Sequence, residues 1–276
     1  MLGKLFKDEF KSYSMPFGIT FLAGIIFTVF MKIVCMLPYR GDVKYLVQSF
    51  GFYTYYMAIM LISVAAFVFV VVRFYNTTVG DRGYLTWTLP VETSTNLWAK
   101  LLAGTLWRVI AGIVMIALFA GFMTGTPWVL RDMFVINGED VHTLWQFVEQ
   151  LTGMFKPGYV VPVVLGLLIL LVYQAMSHLM IYFCIAIGQL FGKWRLAASV
   201  GCYFLLMIVL EILMVAGMAV MTIGGVSAAS VGIFERMSVL EIVNIIFLVT
   251  LVIGIAFSTL FFALTNWIFK KHLNLE

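Results

Sequence analysis

The sequence predicts an all-α integral membrane protein: six transmembrane helices, an N-terminal interfacial amphipathic helix, and a short cytoplasmic helix between spans two and three. Three observations carry that prediction. Of 276 residues, 63% are hydrophobic and 11% charged, against about 45–50% and about 25% in soluble domains. The mean hydropathy of +1.06 is spread along the chain, so too little polar surface exists to make a wet exterior. The apolar residues also fall into six runs, each long enough to cross a bilayer core as a helix of about 20 residues.

The runs are 17–37, 52–72, 101–123, 159–191, 196–223 and 242–269. Strands of a β-barrel would alternate in and out, whereas residues 161–172 are apolar at nearly every position. Ahead of the first run, Leu2, Leu5, Phe6, Phe10 and Tyr13 gather on one side of a helix and Lys4, Lys7, Asp8 and Lys11 on the other. That segment, 1–16, is expected to lie on the cytoplasmic leaflet. The first run exceeds the roughly 7–15 residues of a cleaved signal and ends in Met36-Leu37-Pro38, so no cleavage is expected. The fourth run would be about 50 Å long as a helix and must tilt, bend or protrude; it is too short for two spans. Gly224, Gly225, Ser227 and Ser230 separate the last two runs and suit a chain turning back within the outer leaflet.

With the amino terminus cytoplasmic, inside segments hold ten Lys and Arg and outside segments five. The positive-inside rule therefore places both termini in the cytoplasm. The net charge of +4 is too small and scattered for a nucleic-acid surface. Cys35, Cys184 and Cys202 sit in apolar runs without disulfide or metal spacing.

The cytoplasmic stretch 73–100 is too apolar for a mere connector. Asp81 is placed to cap a short helix with Tyr84, Leu85, Thr88 and Leu89 on one face, stopped by Pro90 and Val91. Thr93 or Ser94 would then cap the helix entering the third span. Such an amphipathic turn between two spans is a lever, because a partner gripping it moves both spans.

The stretch Gly80-Asp-Arg-Gly-Tyr-Leu-Thr-Trp-Thr-Leu-Pro-Val, with Leu-Trp-Ala-Lys-Leu-Leu after it, resembles the coupling segment of type-2 ABC exporter permeases. The amphipathic start, six spans and basic end resemble that family's layout. At motif level the likeness covers about residues 73 to 104. It implies that the whole chain, 1–276, is a single transmembrane permease domain of a bacterial plasma membrane. It also implies a second permease chain, identical or not, and separate ABC ATPase subunits that meet Asp81, Arg82, Gly83, Tyr84, Leu85, Leu89 and Pro90. ATP and magnesium would be held by those ATPase subunits and no cofactor by this chain. The implied activity is export of an amphipathic or hydrophobic substrate such as a peptide, lipid or drug. Tyr84-Leu85 departs from the Thr-Leu-Glu of many members, which removes one acid from the expected ATPase contact.

No ATP site is expected in this chain, and the chain is not expected to be an enzyme. Gly188-Gln-Leu-Phe-Gly-Lys-Trp has three residues between its glycines and Trp194 where a phosphate loop needs Ser or Thr. It reads as a tight basic turn between the fourth and fifth spans. Metalloprotease and serine-hydrolase motifs are absent from the sequence.

Three polar residues inside the spans are candidates for the translocation path. Arg108, about two turns into the third span, either snorkels to the cytoplasmic headgroups or serves the path or an internal ion pair. Glu211, about fifteen residues into the fifth run, is too deep and short to snorkel, so it is paired, protonated or facing water. His178 lies at a comparable depth with Gln174 one turn away, which permits a Glu211–His178 contact. Together these residues define an alternative function, an autonomous ion- or proton-coupled transporter. Lys32 reads as a snorkelling anchor, and Gly254/Ser258 and Ala117/Gly121 as small-residue helix contacts. The outer segment 124–158 is expected to lie on the membrane face or cap the pathway, with Glu139, Asp140 and His142 in a solvated loop rather than a metal site.

Overall fold

The computed structural model describes residues 2–37, 41–80, 83, 91–124, 135–136, 139–140, 145–146, 149, 157–191, 194–230 and 238–271. Its six long helices are α1 (Leu2–Met36), α2 (Asp42–Thr78), α3 (Thr93–Met123), α4 (Val160–Gly188), α5 (Arg195–Ser230) and α6 (Val239–Lys271). Each is long and apolar enough to cross a membrane. A two-residue antiparallel ladder, Val135–Ile136 with Glu139–Asp140, lies in the expected outer segment. Most of the rest of that segment, His142 included, lies outside the described residues. The chain divides into two compact units, one of Gly3–Val72 and Leu102–Lys156, the other of Met1–Leu2, Arg73–Leu101 and Pro157–Glu276.

In the first unit α1 and α2 run antiparallel, and α1 and α3 parallel. Gly24 faces Ile62 of α2 and Leu118 of α3, while Trp107 Nε1 donates to the Phe10 carbonyl at 2.8 Å. This is the alternation that successive crossings impose. Toward one end, Tyr13, Phe17, Ala66, Val70, Ala103 and Ala111 form a buried cluster; toward the other, Met31, Cys35, Phe52, Tyr55, Phe122 and Met123 form a second. Tyr55 stacks on Phe122 at 4.0 Å, and its hydroxyl and that of Thr28 are hydrogen-bonded at 3.0 Å.

The separate interfacial helix expected over 1–16 is replaced by the first turns of α1, which is one 35-residue helix with Pro16 inside it. The aromatic face does exist, but its cover is protein. Phe10 stacks on Trp107 at 5.0 Å, and Tyr13 and Phe17 are buried in the cluster with Val70 and Ala103. An interior proline costs about 3 kcal/mol, which burial of Tyr13 and Phe17 at roughly 1.5–3 kcal/mol each, with partial cover of Phe10, offsets. Lys4, Lys7, Asp8 and Lys11 remain exposed on the opposite side.

In the second unit α4 and α6 run parallel along most of their length. Gly166 faces Phe247, Gly254 faces Val172 and Tyr173, and Phe183 lies 5.6 Å from Phe261. A Cβ on Gly254 would come within 3.0 Å of both its neighbours, so the small residue sets how closely these helices approach. Ala117 and Gly121 do not serve that way, since both are exposed. The fourth run is a single span, as expected. The fifth helix does not turn back at its small residues but continues through Gly224 and Gly225 to Ser230, because nothing in that stretch lacks a helical hydrogen bond partner as proline would.

The turn between α4 and α5 is tight. Phe191 N–H donates to the Gly188 carbonyl and Trp194 N–H to that of Phe191. A Cβ on Gly188 would lie 2.6 Å from the Arg195 carbonyl and overlap the Ser199 hydroxyl, so only glycine lets α5 start this close to the end of α4.

Candidate functional site

The expected lever joins α2 to α3, and the second unit contains both of its roots. α2 runs six residues past the end of the apolar run, to Thr78. The N–H groups of Val79 and Gly80 both donate to the Tyr75 carbonyl, which ends the helix. Gly83 is buried, and its N–H donates to the Gly80 carbonyl at 2.7 Å. Asp81, Arg82, Tyr84, Leu85, Leu89 and Pro90 lie outside the described residues. On the far side, the Glu92 carbonyl accepts from the N–H groups of Thr95 and Asn96. Glu92 therefore takes the cap position expected for Thr93 or Ser94, and the Ser94 hydroxyl donates to its carboxylate at 3.3 Å.

The two roots are bound to each other and to α4 and α6. Lys100, 2% exposed, donates from Nζ to Thr77 Oγ1 at 2.7 Å, linking α3 to α2. A buried ammonium needs acceptors of this kind. Thr77 in turn donates to the Arg73 carbonyl of its own helix at 2.8 Å. Phe74 stacks face to face on Tyr182 of α4 at 3.6 Å and tilts toward Phe269 of α6 at 6.3 Å. Trp98 packs on Phe262 of α6 at 4.7 Å. Phe74, Thr78, Asn96, Leu97, Lys100 and Phe269 line a narrow, partly open crevice. Four helix ends, two of them the lever's roots, are thus fastened at one level by one charged hydrogen bond and aromatic packing.

This anchor went unseen in the sequence. Lys100 counts there only as one inside charge, and Phe74, Trp98, Tyr182 and Phe262 are indistinguishable from other aromatics in apolar helices. The one available signal is local: Thr77, Thr78 and Asn96 are polar residues on the same flanks of the lever as Lys100.

The intramembrane candidates are not assembled as the sequence permits. In the second unit, His178 is fully buried on α4, with its ring 6.4 Å from that of Tyr182. Gln174 Nε2, one turn earlier, is buried without a hydrogen-bond partner among the described residues. Glu211 is exposed on α5 and makes no hydrogen bond or ion pair with a described residue, so the Glu211–His178 contact is not formed. In the first unit Arg108 pairs with no acid among the described residues. Its guanidinium donates to the Ser63 carbonyl of α2 at 2.7 Å and lies over the Phe67 ring at 5.2 Å. Lys32 reaches the end of α3, donating to the Gly121 carbonyl and Thr124 hydroxyl at 3.0 Å each. There it serves as a cationic cap on the C-terminal end of α3. Among the described residues no group of three or more His, Cys, Asp or Glu is placed to hold a metal.

Comparison with known proteins finds no matching family model, no matching curated protein and no matching solved structure.

Proposed function

We propose that this chain is the permease subunit of an ATP-driven exporter of the type-2 ABC kind. It works as one of two permease chains, identical or not, with separate ATPase subunits that hold ATP and magnesium. Both termini are cytoplasmic, and the cargo is amphipathic or hydrophobic, a peptide, lipid or drug. One observation carries the reading: the segment that resembles a coupling helix is rooted in residues fastened to two further spans. Force applied between Gly83 and Pro90 would pass through Phe74, Trp98 and Lys100 into α4 and α6 as well as along α2 and α3. A loop without a mechanical role has no need of a buried ammonium and three aromatic contacts at its base.

The autonomous-transporter reading needs its ionisable groups in communication, and the missing Glu211–His178 contact leaves it without a relay. In the exporter reading, closure of the ATPase subunits pushes the lever, the attached helices tilt, and a cavity between the two permease chains opens to the other side.

The test is to purify the tagged chain from its native membranes in mild detergent, reconstitute it in nanodiscs, and measure co-purifying magnesium-dependent ATP hydrolysis. The double variant Tyr84→Ala/Leu85→Ala is expected to reduce captured ATPase activity at least tenfold while the permease stays monodisperse. If the chain carries no ATPase and moves ions or solutes alone, the exporter reading fails.

A further inference from the structure

The seam between α4 and α5 brings two thiols together. The helices run antiparallel away from the tight turn that joins them, and they approach closely where Gly188 meets Ser199. A Cβ on Gly188 would lie 3.0 Å from Ser199 Cβ, inside the roughly 3.8 Å that separates Cβ atoms across a disulfide. One turn further along each helix, the same seam places Cys184 of α4 opposite Cys202 of α5. Their side chains are hydrogen-bonded to each other, and both are free thiols. Cys184 is 1% exposed, whereas Cys202 is half-buried beside Gly201, Phe204 and Leu205, which are exposed. Cys202 lies about 10 Å along α5 from Arg195, within an apolar run, so a reagent reaches it through lipid. The third cysteine, Cys35, is buried in a cluster of the first unit.

We infer that Cys184 and Cys202 form a redox-active dithiol, which an organic hydroperoxide dissolved in the bilayer closes to a disulfide between α4 and α5. Cys202 Sγ, the more accessible, attacks the terminal peroxide oxygen. The O–O bond breaks, the sulfur keeps that oxygen as a sulfenic acid, and the alcohol leaves with the thiol's proton. Cys184 Sγ then attacks the sulfenic sulfur, the S–S bond forms, and the oxygen departs as water with the second thiol's proton. The dithiol loses two electrons and the hydroperoxide gains them. Proximity decides the product, because a thiol already in contact intercepts the sulfenic acid before a second oxidant arrives. Depth also protects the bond, since a charged thiol reductant such as glutathione dissolves in water rather than in hydrocarbon. Once closed, the bond makes α5 move with α4, whose Tyr182 is stacked on Phe74 at 3.6 Å. The pair stands independently of what powers transport.

The test uses the full chain in nanodiscs, expressed without any ATPase, half of it isotopically labelled, and treated with cumene hydroperoxide. After acid quenching and digestion, mass spectrometry reads which cysteines are joined. The expected product joins Cys184 to Cys202 within one chain, is reversed by dithiothreitol, and exceeds any link through Cys35 by about tenfold or more. In Cys184→Ala no link should form, and Cys202 should accumulate as a sulfenic acid that dimedone traps. Gly188→Ala, whose methyl would overlap the Ser199 hydroxyl and push the helices apart, should lower the link about fivefold. Hydrogen peroxide at equal concentration should act about tenfold more slowly, because it partitions poorly into hydrocarbon. Thiols that stay reduced, oxidation to sulfinic acid without a link, links between labelled and unlabelled chains, or equal links through Cys35 each overturn the dithiol. Hydrogen peroxide acting as fast as cumene hydroperoxide overturns lipid as the route. Whether the chain captures an ATPase moves none of these outcomes.

Discussion

Replacing Thr77 by Val keeps the shape of the lever's root and deletes one hydroxyl. That hydroxyl accepts from Lys100 Nζ at 2.7 Å and donates to the Arg73 carbonyl at 2.8 Å. The second bond is minor, since that carbonyl lies inside a helix and keeps its backbone partner. The first matters because the Lys100 ammonium stays buried with one acceptor fewer, a loss of about 1.5–3 kcal/mol for a hydrogen bond to a charged group. On the average unfolding entropy per residue, this lowers the midpoint of a 276-residue chain by about 3–5 °C. The assay is thermal unfolding in nanodiscs of wild type, Thr77→Val, Lys100→Met and the double variant. Thr77→Ser, which restores the hydroxyl, should fall within about 0.5 kcal/mol of wild type. In the Lys100→Met background, Thr77→Val should cost less than about 0.5 kcal/mol, because no charge remains to be stranded. Equal costs in the two backgrounds would refute the claim that this bond ties α2 to α3.

Two further substitutions probe the frame around that anchor. Phe74→Ala removes a ring stacked at 3.6 Å on Tyr182 and should destabilise by about 3–5 kcal/mol, read as a lower melting midpoint; Phe74→Leu, which fills most of the space, should lose less than half as much. Gly188→Ala places a methyl 2.6 Å from the Arg195 carbonyl, so it should open the α4–α5 turn and raise protease cleavage there, whereas Gly112→Ala, with nothing within 4 Å, should be neutral or better.

The spans were legible because lipid leaves a continuous signal: an apolar run of the right length is visible whatever its neighbours do. Four of the six predicted runs lie wholly inside one helix each; the first exceeds α1 by Leu37 alone, and the fourth exceeds α4 by Tyr159 and its last three residues. Helix ends were less legible, since they depend on partners distant in sequence. α2 outlasts its apolar run because Phe74 and Thr77 find Tyr182 and Lys100, up to about a hundred residues away. The amphipathic start was read correctly as a pattern and wrongly as to its cover, because an aromatic stripe suits a headgroup layer and a helix such as α3 equally. The polar residues were hardest. Depth predicts that Arg108, Lys32 and Glu211 need satisfaction, but not by what, and a backbone carbonyl such as that of Ser63 leaves no trace in the sequence.

Arg108 and Lys32 share a consequence. Both donate to backbone carbonyls of neighbouring helices in the first unit, Ser63 of α2 for one and Gly121 of α3 for the other, while Arg108 Nε is buried without a partner among the described residues. Such bonds do not depend on a titrating partner, and they fix the axial register of the helices they join, because sliding by one residue turns the carbonyl away. A set of helices locked in register transmits a push as a body, while one held by apolar packing alone can slide. The cations inside these spans thus hold the helices of the first unit in register. Glu211, the one acid this deep in a span, finds no such carbonyl to donate to it, since carbonyls only accept. A carboxylate there needs a donor, and among the described residues none hydrogen-bonds to it.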